Sequence, residues 1–325
     1  MHNRVLVTGA GGFIGRRLAT ALGASGTQVR AVLRPSHDAA DLEAEGVEIV
    51  RGDATDRTLM KGAAAECDVI YHLAAARGFK KLAARDFNQQ NSDLIEAAAA
   101  AAHDNAARLV LASSVAVMRG RPPMAPAHST HRPTSNYGAS RSQNEKRLQD
   151  VWRERQLDYR IARISERVAG PGAKDWKKIV HGVRDGRYKV LPRGGNVHSC
   201  DVDDVIAGLQ LCAGDRATRY ETYTLVARKP AAIKDILGCI AGELGVTFAP
   251  RMVSGWPAQA YKQIGDRVFQ TFGKELPYAF TAEFYAWPSC YDTAGTPDRL
   301  GFAPQYDILQ AVRRTVGWMR AEGAV

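Results

Sequence analysis

The stretch Val5-Leu-Val-Thr-Gly-Ala-Gly-Gly-Phe-Ile-Gly15, close to the amino terminus, limits the fold more than any other part of the chain. The apolar run from Arg4 to Thr8 reads as a strand, and Phe13 to Leu22 reads as a helix. Gly9, Gly12 and Gly15 stand three residues apart across the turn between them. Each glycine suits a place where a Cβ would obstruct the turn, the approach of a pyrophosphate, or the packing of helix on strand. Backbone N–H groups at the start of the helix would then face an anion. A glycine triplet alone is a surface turn; between a strand and a helix it predicts a dinucleotide-binding unit.

At 325 residues the chain can bury a full core, either as one large α/β domain or as a nucleotide domain with a smaller companion. Apolar residues at 45% and charged residues at 24% are the proportions of a folded soluble enzyme. No apolar run approaches the roughly 20 residues of a membrane span. The first strand starts too early to leave room for a signal peptide. A cytoplasmic protein with no membrane partner is therefore expected. Cys67, Cys200, Cys212, Cys239 and Cys290 are odd in number and lack metal-ligand spacing, so reduced thiols are predicted, with neither a disulfide frame nor a bound metal. The formal charge of +10 suits a phosphate-bearing cofactor or an anionic substrate as well as nucleic acid. Basic residues such as Arg16, Arg17, Lys177 and Lys178 are spread out, without a recognition helix or a basic tail, which argues against nucleic acid.

Val29 to Leu33 reads as a second strand, and Arg34 comes directly after it. An acidic residue there would hydrogen-bond a ribose 2′-hydroxyl, whereas an arginine pairs with a 2′-phosphate. Arg34 therefore predicts NADP, with NAD as the alternative and Arg16 and Arg30 as candidate helpers; its bland reading is a solvated loop arginine beside Pro35. A short helix over Asp38 to Glu45 and a strand over Val47 to Arg51 lead to Gly52-Asp53. The Asp53 carboxylate is placed to reach an adenine amino group or to cap the next segment of chain. Val69 to Leu73 is a fourth strand, and the small residues Ala74-Ala-Ala76 after it let a cofactor approach the backbone. His72 reads as a packed histidine rather than a ligand.

Asp86 to His103 reads as one long helix, its alanine run a matter of helix propensity. Leu109 to Ala112 is a fifth strand that delivers Ser113-Ser114 to the carboxyl edge of the sheet, where open α/β folds place their chemistry. Arg119 to Ser135, with Pro122, Pro123, Pro126, Pro133, His128 and His131, reads as a loop bordering the substrate. Asn136-Tyr137-Gly-Ala-Ser-Arg141 opens a helix expected to run to about Arg155, and Tyr159 to Ile164 is a sixth strand. The alternation of strand and helix predicts a parallel, doubly wound sheet. Asp307 to Glu322 has Ile308, Leu309, Val312, Val316 and Met319 at helical spacing, as a packed terminal helix does.

The glycine turn, Asp53, His72-Leu-Ala-Ala75, Ser113-Ser114 and Tyr137 together resemble the extended short-chain dehydrogenase/reductase superfamily, and within it the NAD-dependent epimerase/dehydratase group. Gly170-Pro-Gly172, Val202-Asp-Asp-Val205, Tyr223-Thr-Leu225 and Arg299-Leu-Gly-Phe302 come in the order of that group's carboxyl-terminal half. The resemblance implies a Rossmann domain over residues 1–170. Residues 171–325 would form mainly a smaller substrate-binding domain, with some segments returning to the sheet. It implies cofactor contacts from Gly9, Gly12, Phe13, Ile14, Gly15, Arg34, Asp53, Ala54, Leu73, Ala74 and Ala75, together with Tyr137 and Arg141. It also implies a Ser, Tyr and Lys constellation: the tyrosine gives or takes a proton at the substrate oxygen, the serine holds that oxygen, and the lysine binds nicotinamide ribose while lowering the tyrosine pKa. Tyr137 matches the tyrosine. Ser114 matches the serine better than Ser113, because Val117 then falls three positions on, as the family's valine does.

The lysine does not match: four residues after Tyr137 stands Arg141, and Lys146 is about half a turn out of phase. Arg141 keeps the charge that favours a tyrosinate, but its rigid fork and longer reach differ from an ammonium. Three outcomes stay open: a working reductase, altered chemistry, or a cofactor-binding protein without turnover. Nucleotide-sugar members carry one arginine shortly before the Val-Asp-Asp segment and another in an Arg-Pro-Gly-Asp run. Here Val197 beside His198 and Tyr285-Ala-Trp-Pro-Ser-Cys-Tyr291 stand instead. The aromatics between Trp256 and Tyr291 are expected to build core and to line an apolar pocket.

The sequence therefore predicts an NAD(P)-dependent oxidoreductase acting on a carbonyl or hydroxyl group of a small apolar or aromatic metabolite. The alternatives are a nucleotide-sugar epimerase/dehydratase with retained NAD, and a non-catalytic dinucleotide sensor or scaffold. By analogy with the family, a homodimer would pack through the Asp86 to His103 and Tyr137 to Arg155 helices.

Overall fold

The computed structural model describes residues 3–76, 84–118, 131–291, 293 and 295–325, with only the backbone of residues 84, 85, 279, 280 and 283. Most of the predicted 119–135 loop, residues 119–130 including His128, lies outside them.

Strand β1 (Arg4–Thr8) leads through the glycine turn into α1 (Phe13–Ala24), succeeded by β2 (Gln28–Leu33), α2 (Ala40–Ala44), β3 (Glu48–Arg51) and α3 (Arg57–Ala63). The second half of the sheet begins with β4 (Val69–His72), α4 (Ala84–Asp104) and β5 (Arg108–Ser114), with a 3-10 turn over Val115–Met118. Then come α5 (Asn136–Arg147) and β6 (Tyr159–Ile164). Short pieces alternate with helices after that: β7 (Val168–Ala169), α6 (Lys177–Arg184), β8 (Val190–Pro192), β9 (Asn196–Val197), β10 (Cys200–Asp201) and α7 (Val202–Ala213). The chain finishes with β11 (Thr222–Leu225), β12 (Ala231–Ala232), α8 (Ile233–Leu244), β13 (Arg251–Val253), α9 (Trp256–Phe272), α10 (Ala279–Ala286), α11 (Thr296–Leu300) and α12 (Ile308–Ala321).

Seven strands make one parallel sheet in the order β11-β6-β5-β4-β1-β2-β3, a Rossmann-type arrangement. Strand order reverses between β1 and β4, and open α/β sheets bind ligands in the crevice beyond that switch point. Alternate residues of each strand face opposite layers. Val5 and Val7 pack with Leu18 and Leu22 of α1 and with Val205 and Leu209 of α7, whereas Leu6 packs with α3 and α4. Ala97, Ala98, Ala99, Ala101 and Ala102 are all buried, so the alanine run supplies the smooth face by which α4 meets the sheet as well as helix propensity. A third apolar cluster joins α6, α8 and α12 around Trp176, Ile236 and Val312.

Of the boundaries that differ from the sequence-based expectation, two bear on the site. Strand β5 runs on to Ser114, so both serines lie within it, on opposite faces. The Tyr137 helix is α-helical only to Arg147; a single π turn, Leu148–Trp152, succeeds it, in which the Arg153 N–H reaches the Leu148 carbonyl at 2.9 Å.

Candidate active site

The glycine turn is as tight as its residues suggest. Gly9 has φ +77°, and a Cβ on it would lie 2.6 Å from the Leu73 carbonyl carbon; a Cβ on Gly15 would overlap the Gly9 carbonyl oxygen. Neither position accepts a side chain without moving β4 or α1. Gly12 caps α1 with no side-chain hydrogen bond, and no acidic residue stands in the first turn. The helix start therefore remains suited to an anion. Phe13 and Ile14 pack partly buried against the core, and the Phe13 ring lies under Gly172 of the Gly-Pro-Gly loop.

Around this cradle stand the other predicted contacts. Thr8 organises the loop after β4: its hydroxyl meets His72 Nδ1 at 2.9 Å and accepts from the Ala74 N–H at 3.3 Å, while the Leu73 N–H reaches the Thr8 carbonyl. Leu73, Ala74 and Ala75 are each part-exposed beside it. Asp53 is exposed, accepting from the Thr55 N–H and hydroxyl at 2.9 and 3.0 Å, and Ala54 is buried behind it. Arg34 is exposed at the end of β2, and its side chain has no hydrogen-bond or ion-pair partner among the described residues. The two candidate helpers are differently employed. Arg16 binds the Asp41 carboxylate and the Asp38 carbonyl beside α2, whereas Arg30 is taken by Glu48 and the carbonyls of Ala63 and Ala65.

The catalytic candidates come from β5 and α5. Ser135 caps α5 by accepting from the Gly138 N–H, and a Cβ on Gly138 would lie 2.5 Å from the Ala116 carbonyl oxygen. That close approach seats the start of α5 on the 3-10 turn after Ser114. Among the described residues the Ser114 hydroxyl accepts only from the Ala116 N–H, at 3.2 Å. Ser113 faces the other layer and donates to Glu145, so its hydroxyl is engaged. Tyr137 is part-exposed, and the Arg141 guanidinium carbon lies 5.4 Å from its ring centre. Arg141 is only 4% exposed and has no hydrogen bond or ion pair among the described residues. Lys146 is exposed.

His72 is the packed histidine that the sequence suggests: it is fully buried, its Nε2 has no partner among the described residues, and burial, reinforced by the Arg141 charge, pushes its pKa down to about 3. One feature of this region escaped the sequence reading. Behind Ser113, Glu145 is wholly buried and binds Arg163 at 2.6 Å and His131 Nε2 at 2.9 Å, while His131 Nδ1 meets the Ser142 hydroxyl at 2.9 Å. Burial would raise the Glu145 carboxyl, but His131 and Arg163 outweigh it and hold it below the usual carboxylate range. The available signal was Glu145 standing four residues after Arg141, on the same helix face.

His198, which stands beside the position of the first diphosphate arginine, is a core residue. Its Nδ1 accepts from the Tyr291 N–H at 2.9 Å, which leaves Nε2 to donate to the Ala227 carbonyl at 2.7 Å. Burial lowers its pKa, against the Ala227 hydrogen bond, so it adds no cation. Among the described residues no group of three or more side chains could hold a metal, and no helix is long and apolar enough to cross a membrane.

A cradle that excludes Cβ atoms, an uncapped helix start and a buried cation with no ion pair among the described residues fit a dinucleotide. Comparison with known proteins agrees. The sequence pattern of the NAD dependent epimerase/dehydratase family matches residues 5–223. A 4-hydroxy-2-methyl-3-oxo-4-farnesyl-3,4-dihydroquinoline-1-oxide ketoreductase of Stigmatella aurantiaca is 28% identical, over 82% of this chain and 81% of that one. A 2-alkyl-3-oxoalkanoate reductase of Stenotrophomonas maltophilia is 24% identical, over 96% and 98% of the two chains. The crystal structure of gox2253 superposes with a TM-score of 0.83 at 20% identity, covering 99% of each chain, which shows a shared fold.

Proposed function

We propose, from the premise that this chain belongs to the NAD-dependent epimerase/dehydratase family, that it is an NADP-dependent oxidoreductase interconverting a carbonyl and a hydroxyl group on a small apolar metabolite. The observation that carries the reading is Arg141: a buried guanidinium beside Tyr137 with no anion of its own among the described residues. An uncompensated buried charge is costly, and ligand oxygens are the natural way to satisfy it. The two relatives named above, reductases of a farnesylated and of an alkylated ketone, support a carbonyl with an apolar substituent. So does the absence of the diphosphate arginines.

In this reading Gly9, Gly12, Phe13, Ile14 and Gly15 hold the pyrophosphate, and Asp53 and Ala54 border the adenine. Arg34 pairs with the 2′-phosphate, Leu73, Ala74 and Ala75 lie along the cofactor, and Tyr137 and Arg141 hold the nicotinamide ribose. When bound, the cofactor supplies or accepts the hydride. Ser114 holds the substrate oxygen by its hydroxyl, and Tyr137 gives the proton to that oxygen or takes it. Residues 1–170 act as the dinucleotide domain and 171–325 mainly as the substrate domain, working in the cytoplasm as a homodimer packed through α4 and α5.

The test is calorimetric titration of the freshly purified protein with NADPH and NADH, then turnover of 2-alkyl-3-oxoalkanoates by the parent and by Tyr137→Phe. Selective NADPH binding and loss of turnover in Tyr137→Phe are expected. NAD released on denaturation would point to an epimerase or dehydratase, and tight cofactor binding with no turnover of any carbonyl compound to a sensor or scaffold.

A further inference from the structure

All of the large apolar side chains that stand exposed among the described residues, Val190, Trp256, Tyr261, Ile264, Phe272 and Tyr278, lie on β8, on α9 or in the turn before α10. Monomeric proteins rarely gather such residues in one place without a use for them. Between β8, α9 and α10 is a groove of about 550 Å³ with no charged side chain in its lining. Its floor is closed by Tyr188 and Tyr285, whose hydroxyls bond each other at 3.0 Å, and on one wall the Tyr261 hydroxyl donates to the Pro277 carbonyl at 2.6 Å. These polar atoms are spent on the protein itself, so the groove asks for hydrocarbon.

The groove continues as a stripe. Pro257, Tyr261, Ile264, Val268 and Phe272 recur at intervals of three and four, which places them on one face of α9. At about 1.5 Å per residue that face is roughly 25 Å long. Past Phe272 the chain turns at Gly273, and the Glu275 carboxylate accepts from the Asn136 N–H at 2.6 Å. Asn136 is the first residue of α5, and Tyr137 is the next. One end of the apolar track is thus tied to the helix turn that carries Tyr137, and the other opens into the groove.

We propose that the groove and the α9 stripe bind a long alkyl chain of the carbonyl substrate, whose oxygen lies at Tyr137. This rests on the oxidoreductase reading given above. Every methylene that the track covers raises affinity about fourfold, so chain length sets specificity here.

The experiment uses the full chain and two wall-filling variants, Ala258→Trp and Ala282→Trp. Binding of cis-parinaric acid is tracked by fluorescence, and NADPH-dependent kcat/KM is measured for 3-oxomyristate and for acetoacetate. The parent is expected to bind the probe and release it to 3-oxomyristate but not to acetoacetate, a comparison that needs no variant. Each folded variant is expected to weaken probe binding and kcat/KM for 3-oxomyristate by about tenfold or more, with acetoacetate unchanged within about twofold. A parent that does not bind the probe, a probe equally tight in the filled variants, or equal losses on both ketones would overturn the proposal. Groove-dependent probe binding without reduction of either ketone would sustain the chain site and overturn the oxidoreductase reading.

Discussion

The Arg141 guanidinium carbon stands 5.4 Å from the centre of the Tyr137 ring, one helical turn along α5, where it is buried and free of any carboxylate among the described residues. A cation held against a tyrosine in this way can take up a ligand oxygen without first breaking an ion pair. Arg141→Met should therefore lower kcat for carbonyl reduction by about 100-fold, the smaller end of what a positioned acid or base contributes. Arg141→Lys should keep activity within about tenfold of the parent, because the charge stays and only the fork is lost. Steady-state kinetics with NADPH decides it, and an Arg141→Met enzyme as fast as the parent would remove Arg141 from the mechanism.

Arg34 is exposed just after β2 and has no partner among the described residues to give up on binding an anion. Arg34→Ser is expected to weaken NADPH binding by about tenfold to 100-fold, the size of one or two charge-assisted hydrogen bonds, and to leave NADH binding unchanged. Calorimetry on both cofactors reads the difference. Equal losses would mean that Arg34 contacts a part the two cofactors share.

Glu145 neutralises Arg163 where neither is reached by water. In Glu145→Gln the Arg163 charge would be left buried with its main partner gone, at an expected loss of about 3–5 kcal/mol in urea unfolding. Lys146→Gln, next to it but exposed, should change stability by less than about 0.5 kcal/mol. A stable Glu145→Gln would show that Arg163 finds other anions or water.

His72 has its pKa depressed to about 3, so the folded protein refuses a proton that the unfolded chain accepts near pH 6.5. Its contribution to stability is fully present above pH 6.5 and is lost as pH falls towards 3, at about 1.4 kcal/mol per pH unit. Urea titrations at pH 7 and pH 5 should show the parent losing about 2 kcal/mol more than His72→Asn, which keeps a partner for the Thr8 hydroxyl and has nothing to titrate. Parallel losses in the two proteins would place the acid sensitivity elsewhere, the Glu145 carboxylate being the next group to examine.

The parts of the fold written in local sequence were legible. Gly9 needs a positive φ and Gly15 has no room for a Cβ, and both facts stem from a strand running straight into a helix. Ser113 and Ser114 could be placed at the carboxyl edge of the sheet because they come directly after the apolar run Leu109 to Ala112. What the sequence hid are meetings between distant segments. Glu275 reaches Asn136 across 139 positions, and Arg163 and His131 come to Glu145 from β6 and from before α5. Charge type gave no hint either: Arg30 looked as available as Arg34 until Glu48 and two carbonyls of the α3 end were seen to hold it. The π turn after Arg147 was equally silent, since Leu148–Trp152 is ordinary helical sequence.

Strand β11 pairs along β6 from Thr222↔Ile161 to Leu225↔Ile164, although 57 residues separate the two strands and every residue of β6 is buried. During synthesis the first six strands can assemble as soon as they emerge, but the outer edge of β6 has nothing to bond until residue 222 is free of the ribosome. Over that interval the nascent chain offers a strand with open N–H and C=O groups, the template on which neighbouring chains aggregate. Translation speed between residues 164 and 222, and holdase chaperones during it, should therefore govern the soluble yield of this protein. A fragment cut at residue 170 would carry that open edge permanently.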